Sequence, residues 1–382
     1  MILDPQRDLF EIPESIAYLN CAYMGPQLKE TREIGERTVA RKSRPWELTP
    51  EDFFREAEEV RGLFARLVGG DADGVAIVPS VSYGMAVAAA NVPAGRGETI
   101  LILEDQFPSN VYPWRELARK REAELVFVPR PGDYDWTGAV VGRIDDRTAV
   151  VAVPNCHWTD GSLLDLAEIG RRAREAGAAF VVDGIQSVGA HPFDVDEVRP
   201  DFLVVSSYKW LLGPYGVGFM YVGGGYREGT PVEHNWINRQ GSEDFSRLVE
   251  YGDAFQPGAR RYDVGERSNF VLLPMAASAL RRILGWGVAN VSETIGALTD
   301  LIEEEAGVRG LRAVPKERRA RHMIGLKLES SAPADLAARL ASGGLFVSVR
   351  GESIRVSPHL YNDGRDVEKL FSVLEDVNAR GV

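Results

Sequence analysis

Two apolar runs, Phe180-Val-Val-Asp183 and Phe202-Leu-Val-Val-Ser206, each end in polar groups. Both are rich in Val, Phe and Leu, with no polar residue alternating. Such runs suit strands buried on both faces, the condition of a parallel sheet. In open α/β sheets, ligands bind just beyond the strand carboxyl ends. Past the first run come Gly184-Ile185-Gln186. Past the second come Ser207-Tyr208-Lys209-Trp210 and a turn, Gly213-Pro214-Tyr215-Gly216. An acid at one strand end and a lysine past the next make a paired site.

Lysine forms Schiff bases with carbonyls once burial or a cationic neighbour lowers its pKa. An acid facing a pyridinium nitrogen is its usual partner where the cofactor is pyridoxal 5'-phosphate, PLP. With Asp183/Gln186, Ser206/Tyr208/Lys209 and the Gly213–Gly216 turn in place, the chain resembles the class V aminotransferases, within fold type I of the PLP enzymes. The resemblance implies an α/β fold with a mainly parallel seven-stranded sheet and a smaller C-terminal α+β domain. It implies that Lys209 carries PLP, that Asp183 keeps the ring nitrogen protonated and that Gln186 bonds the phenolic oxygen. Catalysis would fall to Lys209 and Asp183.

Composition narrows the setting. Acidic residues outnumber basic ones by 56 to 44 over 382 residues, for a net charge of −12. That argues against a nucleic-acid or anionic-membrane partner. No apolar run reaches membrane-spanning length, and the first residues lack a basic region followed by an apolar core. The two cysteines, Cys21 and Cys156, stand in no zinc-binding spacing, so no metal site is expected. A cytoplasmic protein without disulfides is the simplest expectation.

Along the chain, residues 1–30 read as an entry arm, with Tyr18–Pro26 resembling the class V opening motif that runs past the active site. Thr49-Pro50-Glu51-Asp52 starts a helix running to about Val68. Val75–Val78 reads as a strand, then Pro79–Gly84 leads into an Ala-rich helix. A helix N-terminus binds phosphate well. In the family this turn holds the PLP phosphate, which points to Ser82 and the Tyr83 backbone, with Ser206 and Tyr208 completing the cradle. Ser82 also suits a simple N-cap.

Thr99–Leu103 is the next strand, and the Phe107-Pro108-Ser109 after it resembles kynureninase-like members. Phe107 would stack on the cofactor ring; the alternative is a core position. Strands follow at Leu125–Val128 and Thr148–Val153, the latter leading to the loop Asn155–Gly161. The family places substrate-facing groups in this loop, which makes His157 and Trp158 candidates, although a lone His is more often an ordinary loop residue. A helix from Leu164 to Ala176 precedes the strand at Phe180. The alternation argues for right-handed crossovers in a parallel sheet.

Phe219–Val222 should return antiparallel. Residues 223–268 lack periodicity, and in this fold type such a segment reaches toward a neighbouring subunit. The family's Gly-Thr phosphate contact is replaced by Gly265-Glu266. The run Arg267-Ser268-Asn269 resembles kynureninase, which makes Asn269 a substrate-site candidate across a homodimer with shared active sites. A long helix from Pro274 should lead to a small domain. That domain reads as strand Met323–Glu329, helix Ala334–Ala341, strands Leu345–Val349 and Ile354–Val356, and helix Val367–Val377. Ile354–Pro358 resembles the class V carboxyl region, whose Arg, here Arg355, clamps the substrate α-carboxylate bidentately. The expected division is 1–30 arm, 31–272 large PLP-binding domain, and 273–382 linking helix and small domain.

The nearest branch by resemblance is kynureninase-like. The implied activity is a PLP-dependent aminotransferase or lyase acting on an α-amino acid through an external aldimine. Desulfurase-like or epimerase chemistry stands as the alternative, with a non-catalytic PLP-fold binding protein from another class. A desulfurase needs a mobile thiolate, and Ala337–Glu352 contains no Cys. Cys156 is the one other thiol expected near the site.

Overall fold

The computed structural model describes residues 1–328, 332–350 and 352–379. Strand Ala17–Tyr18 (β1) and helices Lys29–Lys42 (α1) and Asp52–Leu67 (α2) come first. Thr49 donates through its backbone N–H to the Asp52 carboxylate at 2.8 Å. The Thr49 hydroxyl donates to the same carboxylate at 3.0 Å, so Asp52 ties the Thr-Pro-Glu-Asp run to the first turn of α2. The buried side of α2 carries Ala57, Val60, Leu63, Phe64 and Leu67 at helical spacing. Full burial of a side chain such as Phe64 contributes about 2–3 kcal/mol.

Strands and helices then alternate as expected: Val75–Val78 (β2), Val81–Asn91 (α3), Thr99–Leu103 (β3), Tyr112–Arg121 (α4), Glu124–Val128 (β4), Trp136–Val141 (α5), Thr148–Pro154 (β5), Leu166–Glu175 (α6), Ala179–Asp183 (β6), Val195–Val198 (α7) and Phe202–Ser206 (β7). Strand Gly218–Val222 (β8) returns antiparallel against β7 and β2. The seven-stranded order is β2-β8-β7-β6-β5-β3-β4, parallel except for β8.

Successive residues of each strand enter two separate cores. Leu101, Val151, Val182 and Leu203 pack on one face, with α2 and α6. Ile100, Val150, Val181 and Val204 pack on the other, with α3 and α4. Continuous apolar strands follow from this double burial.

From 223 to 268 the chain holds only short 3₁₀ turns. The long helix expected from Pro274 is two helices, Leu272–Trp286 (α8) and Val288–Val308 (α9). They break at Gly287, whose φ of 76° belongs to the left-handed region. The small domain follows with strands Arg312–Ala313 (β9) and Ile324–Lys327 (β10), helix Leu336–Ser342 (α10), strands Leu345–Phe346 (β11), Ser348–Arg350 (β12) and Ser353–Val356 (β13), and helix Gly364–Ala379 (α11). Glu329, the expected end of its first strand, lies outside the described residues. The single strand expected at Leu345–Val349 is split because its halves join different sheets. β11 pairs parallel with β1, whereas β12 pairs antiparallel with β13. The N-terminal segment therefore bridges two cores: Ala17 and Leu19 pack with β10, β11 and β13, whereas Phe10, Cys21, Ala22 and Leu28 pack with the large sheet.

Candidate active site

Register brings the predicted groups to one sheet edge. Val78 and Ser206 both lie opposite Gly218, so β2 and β7 end level with each other on either side of β8. Asp183 lies opposite Pro154 and Val204. The segments after β2, β3, β5, β6 and β7 thus converge at the carboxyl edge, where open α/β sheets hold ligands.

Lys209 is buried. Burial holds its amine down to about 7, helped by the nearby Arg355 charge and opposed by Asp183. Burial also pushes the Asp183 carboxyl up to about 6, against the Ile185 N–H that donates to it and the Lys209 charge. The Lys209 Nζ lies 5.7 Å from the ring centres of both Phe107 and Tyr208. Phe107 is 40% exposed, so it is not a core residue, and it meets Trp158 edge-on at 5.4 Å. An exposed aromatic face beside a buried amine is a platform for a planar ring.

Gln186 is held in one orientation. The indole N–H of Trp210, which can only donate, reaches its Oε1 at 3.2 Å. Its Nε2 donates to the Ala22 carbonyl at 3.2 Å. The amide's second N–H is thereby left for another acceptor. The N-terminal segment that supplies Ala22 also passes over the lysine. Gly25 donates its N–H to the Tyr208 carbonyl at 2.8 Å, and a Cβ there would stand 2.1 Å from the Lys209 carbonyl oxygen. Only glycine allows that approach.

At the start of α3 the N-cap is Ser80, not Ser82: its Oγ accepts from the Tyr83 N–H at 3.2 Å. The Tyr83 amide is therefore engaged, whereas the Val81 and Ser82 amides stand ahead of the first backbone bond of the helix, from Gly84 to the Ser80 carbonyl. Ser82 is exposed, its hydroxyl 2.9 Å from that of Ser80. The Tyr83 hydroxyl and the Gly265 N–H both donate to Glu233. Glu266 is exposed. Ser206 is buried at the end of β7.

Arg355, on β13, is 1% exposed. Its Nη1 donates to the Trp158 carbonyl at 2.6 Å and its Nη2 to the Ser348 hydroxyl at 3.3 Å. Its Nε has no partner, and no carboxylate pairs with it among the described residues. Burial pulls its pKa down to about 9, and the Arg350 charge adds to that. A buried guanidinium in this state is costly unless an anion arrives.

Two candidates are not brought to this centre. His157 is fully buried, stacked on Trp136 at 5.2 Å. Its Nδ1 meets Thr159 at 2.8 Å and its Nε2 faces the Glu104 carbonyl at 3.4 Å, so the ring is a packed loop residue with both nitrogens engaged. Asn269 caps α8: its Oδ1 accepts from the Val271 and Leu272 N–H groups. Both thiols are buried. Cys156 lies on the bridge to Leu163, while Cys21, not anticipated at the site, sits with its Sγ 3.9 Å from the Lys209 carbonyl. Sequence reasoning also missed Trp210 and Ser80. An indole directly after the lysine, and a serine two residues ahead of Ser82, were the available signals.

Among the described residues, no group of three His, Cys, Asp or Glu side chains could hold a metal, and no helix is long and apolar enough to cross a membrane. The sequence model of the family described as Aminotransferase class-V matches residues 36–370. An uncharacterized aminotransferase of Bacillus subtilis (strain 168), YcbU, is 25% identical over 342 residues, covering 86% of this chain and 84% of that protein. A probable cysteine desulfurase of Methanothermobacter thermautotrophicus is 22% identical over 358 residues, covering 86% and 85%. The solved structure of a C-DES mutant, with glycine covalently linked to the PLP cofactor, superposes with a TM-score of 0.85 at 18% identity. That superposition covers 97% of this chain and 99% of the other. At that identity the likeness speaks to fold.

Proposed function

The chain belongs to the class V aminotransferase family, a family of PLP-dependent enzymes with the fold type I architecture, and from that premise we propose that it acts on an α-amino acid as an aminotransferase or kynureninase-like lyase. The observation that carries this reading is the buried Lys209 amine, held near neutrality, with Asp183 as its one neighbouring acid.

The residues present fit the cofactor. Lys209 would hold it, Phe107 would cover its ring, and Asp183 would face its ring nitrogen. Gln186, already turned by Trp210 and Ala22, would donate its remaining N–H to the phenolic oxygen. The α3 amides, with Ser82, Ser206 and Tyr208, would take the phosphate. When bound, PLP supplies an aldehyde that condenses with amines and a ring that takes up electrons released at Cα.

The chain's own residues do the rest. With its pKa near 7, a large fraction of Lys209 is neutral at physiological pH, able to attack a carbonyl and to take a proton from Cα. Arg355 receives the α-carboxylate and fixes which face of Cα meets the amine. Trp158 stands between Phe107 and Arg355 at the substrate end. Phe107-Pro108-Ser109 and Ser268-Asn269 favour the kynureninase-like branch. We assign the chain an arm at 1–30, a large domain at 31–272 and a small domain at 273–382. In a homodimer, the irregular 223–268 segment and Asn269 would serve the neighbouring site. Two unpaired cysteines suit the cytoplasm.

Borohydride reduction of the cofactor-loaded protein, followed by peptide mapping, tests the reading. The label is expected on Lys209, and a label elsewhere sinks it.

A further inference from the structure

We propose that Arg350 forms a second anion subsite, so that the preferred substrate is an α-amino acid whose side chain ends in a second acidic group. This rests on the reading above, in which Arg355 takes the α-carboxylate.

The strand register places the two arginines. In the β12–β13 pair, Ser348 lies opposite Arg355 and Arg350 lies opposite Ser353. Residues directly opposite, and residues two apart, share a face of the sheet. Arg350 and Arg355 therefore project from the same face, as diagonal neighbours roughly 7 Å apart at the backbone. Arg355 stands nearer the end of β13, and Ser357 just beyond it is bonded to Leu19 and Cys21 over the lysine. Arg350 stands one step toward the open side.

The Arg350 guanidinium is held but not neutralised. Its Nη1 donates to the Val349 carbonyl at 2.9 Å, and its plane lies 5.6 Å from the Trp158 ring centre. Its Nε is buried and has no partner, and no carboxylate pairs with it among the described residues. Trp158 thus has Arg355 on its carbonyl and Arg350 on its ring. With Lys209, three cations share this corner, and the repulsion of Arg350 is felt at both Lys209 and Arg355. Asp183 is the acid set against Lys209, and it lies on the cofactor side.

A cavity of about 620 Å³ opens beside Phe107 and is lined by Trp158, Arg130, Lys327 and Arg350. Its acids do not answer Arg350. Asp160 is bonded to Arg130 at 2.5 Å, and Asp105 lies 3.8 Å from the same arginine. Glu352 and Lys327, which also line this cavity, are exposed, and neither is ion-paired with Arg350. An acidic side chain extending outward from a substrate anchored on Arg355 would meet Arg350 on the same face of the sheet. Guanidinium paired with carboxylate, sulfonate or phosphate is strong because it is charged and forked.

The test compares L-glutamate with its isostere L-glutamine, and L-aspartate with L-asparagine, on the PLP-loaded protein. Apparent Kd is read from the change in the visible spectrum. A second readout, independent of the cofactor's chemistry, is thermal stabilisation by glutarate against butyrate. Wild type should prefer each acid at least tenfold over its amide and should be stabilised by glutarate well beyond butyrate. Arg350→Met should abolish both preferences, and Arg350→Lys should keep part of them. Equal binding of acid and amide by wild type overturns the subsite, as does an undiminished preference in Arg350→Met. If no amino acid perturbs the spectrum and PLP does not attach to Lys209, the underlying assignment falls and takes this one with it. That result is separable from amino-acid binding without acidic preference, which removes Arg350 alone.

Discussion

The Nη1 of Arg355 donates to the Trp158 carbonyl over 2.6 Å, and this bond ties the small domain to the loop that follows β5. The arginine is thereby aimed while its Nε stays free of any partner. Pre-aiming lowers the entropy lost when a carboxylate binds.

Arg355→Ala should therefore raise the KM for the amino-acid substrate by about 100-fold, since each charge-assisted bond contributes about 1.5–3 kcal/mol. The visible band of the bound cofactor should persist, because Arg355 is assigned to substrate alone. Steady-state kinetics beside an absorption spectrum separates the two. An unchanged KM would contradict the assignment.

Trp210→Phe removes the N–H that fixes the Gln186 amide. The lost bond costs about 1 kcal/mol. More specifically, the amide becomes free to turn its carbonyl toward the cofactor's phenolic oxygen. The pH midpoint of the cofactor's visible band should shift upward, and a midpoint matching wild type would assign Trp210 to packing only.

In the cofactor-free protein, Lys209 is held down to about 7, against about 10.4 in an unfolded chain. Between those values the unfolded chain binds a proton that the folded chain has released. Stability rises with pH across that window, by at most about 1.4 kcal/mol per pH unit. Lys209→Met removes the titrating amine. Its advantage over wild type in urea should be largest at about pH 7 and shrink toward about pH 10. A difference that stays constant across the window would mean the amine is not buried in its neutral form.

Burial pushes the Cys21 thiol up to about 12 and raises that of Cys156 as well. Neither should react with a thiol reagent until the protein unfolds, when both should. On that expectation neither thiol would serve as a persulfide carrier. With cysteine and a reductant, any sulfide released should survive Cys156→Ser. Robust release that vanishes in that variant would restore the desulfurase alternative.

A homodimer with shared sites should regain activity when a Lys209→Ala chain is mixed with an Asn269→Ala chain, because one hybrid site would then be intact. The Asn269 Oδ1 is occupied in capping α8, so in such a dimer its Nδ2 would be the group offered to a neighbour. Sedimentation as a monomer at micromolar concentration would rule out the sharing.

The sheet was legible because its strands are buried on both faces, which leaves uninterrupted apolar runs. β2 and β3 begin and end where those runs do. Lys209, Asp183 and Arg355 were legible because their chemistry is rare at such positions. What was not legible depends on residues far apart in sequence. The Ala22 carbonyl that turns Gln186, and the Gly25 amide on Tyr208, lie more than 160 positions from their partners. His157 looked like a candidate because a ring nitrogen is chemically versatile. Thr159, which occupies one ring nitrogen, is local, but Glu104, which faces the other, is brought there only once β3 and β5 are side by side. Ser80 and Ser82 compete for one helix start, and φ and ψ of the flanking backbone, not residue type, decide between them.

The pairing of β1 with β11 has a consequence for the order in which the protein is made. Ala17 and Tyr18 leave the ribosome early, but Leu345 and Phe346 are added more than three hundred residues later. At roughly 5–20 residues per second, the early segment waits tens of seconds for its partner. During that interval the central sheet can form, while the segment over Lys209 has its bonds to Gln186 and Tyr208 but not the strand that pairs with it. A nascent chain arrested before β11 would carry a folded sheet whose cover over Lys209 is anchored on the sheet side alone. The second anchor of that cover would then arrive as a late translational event.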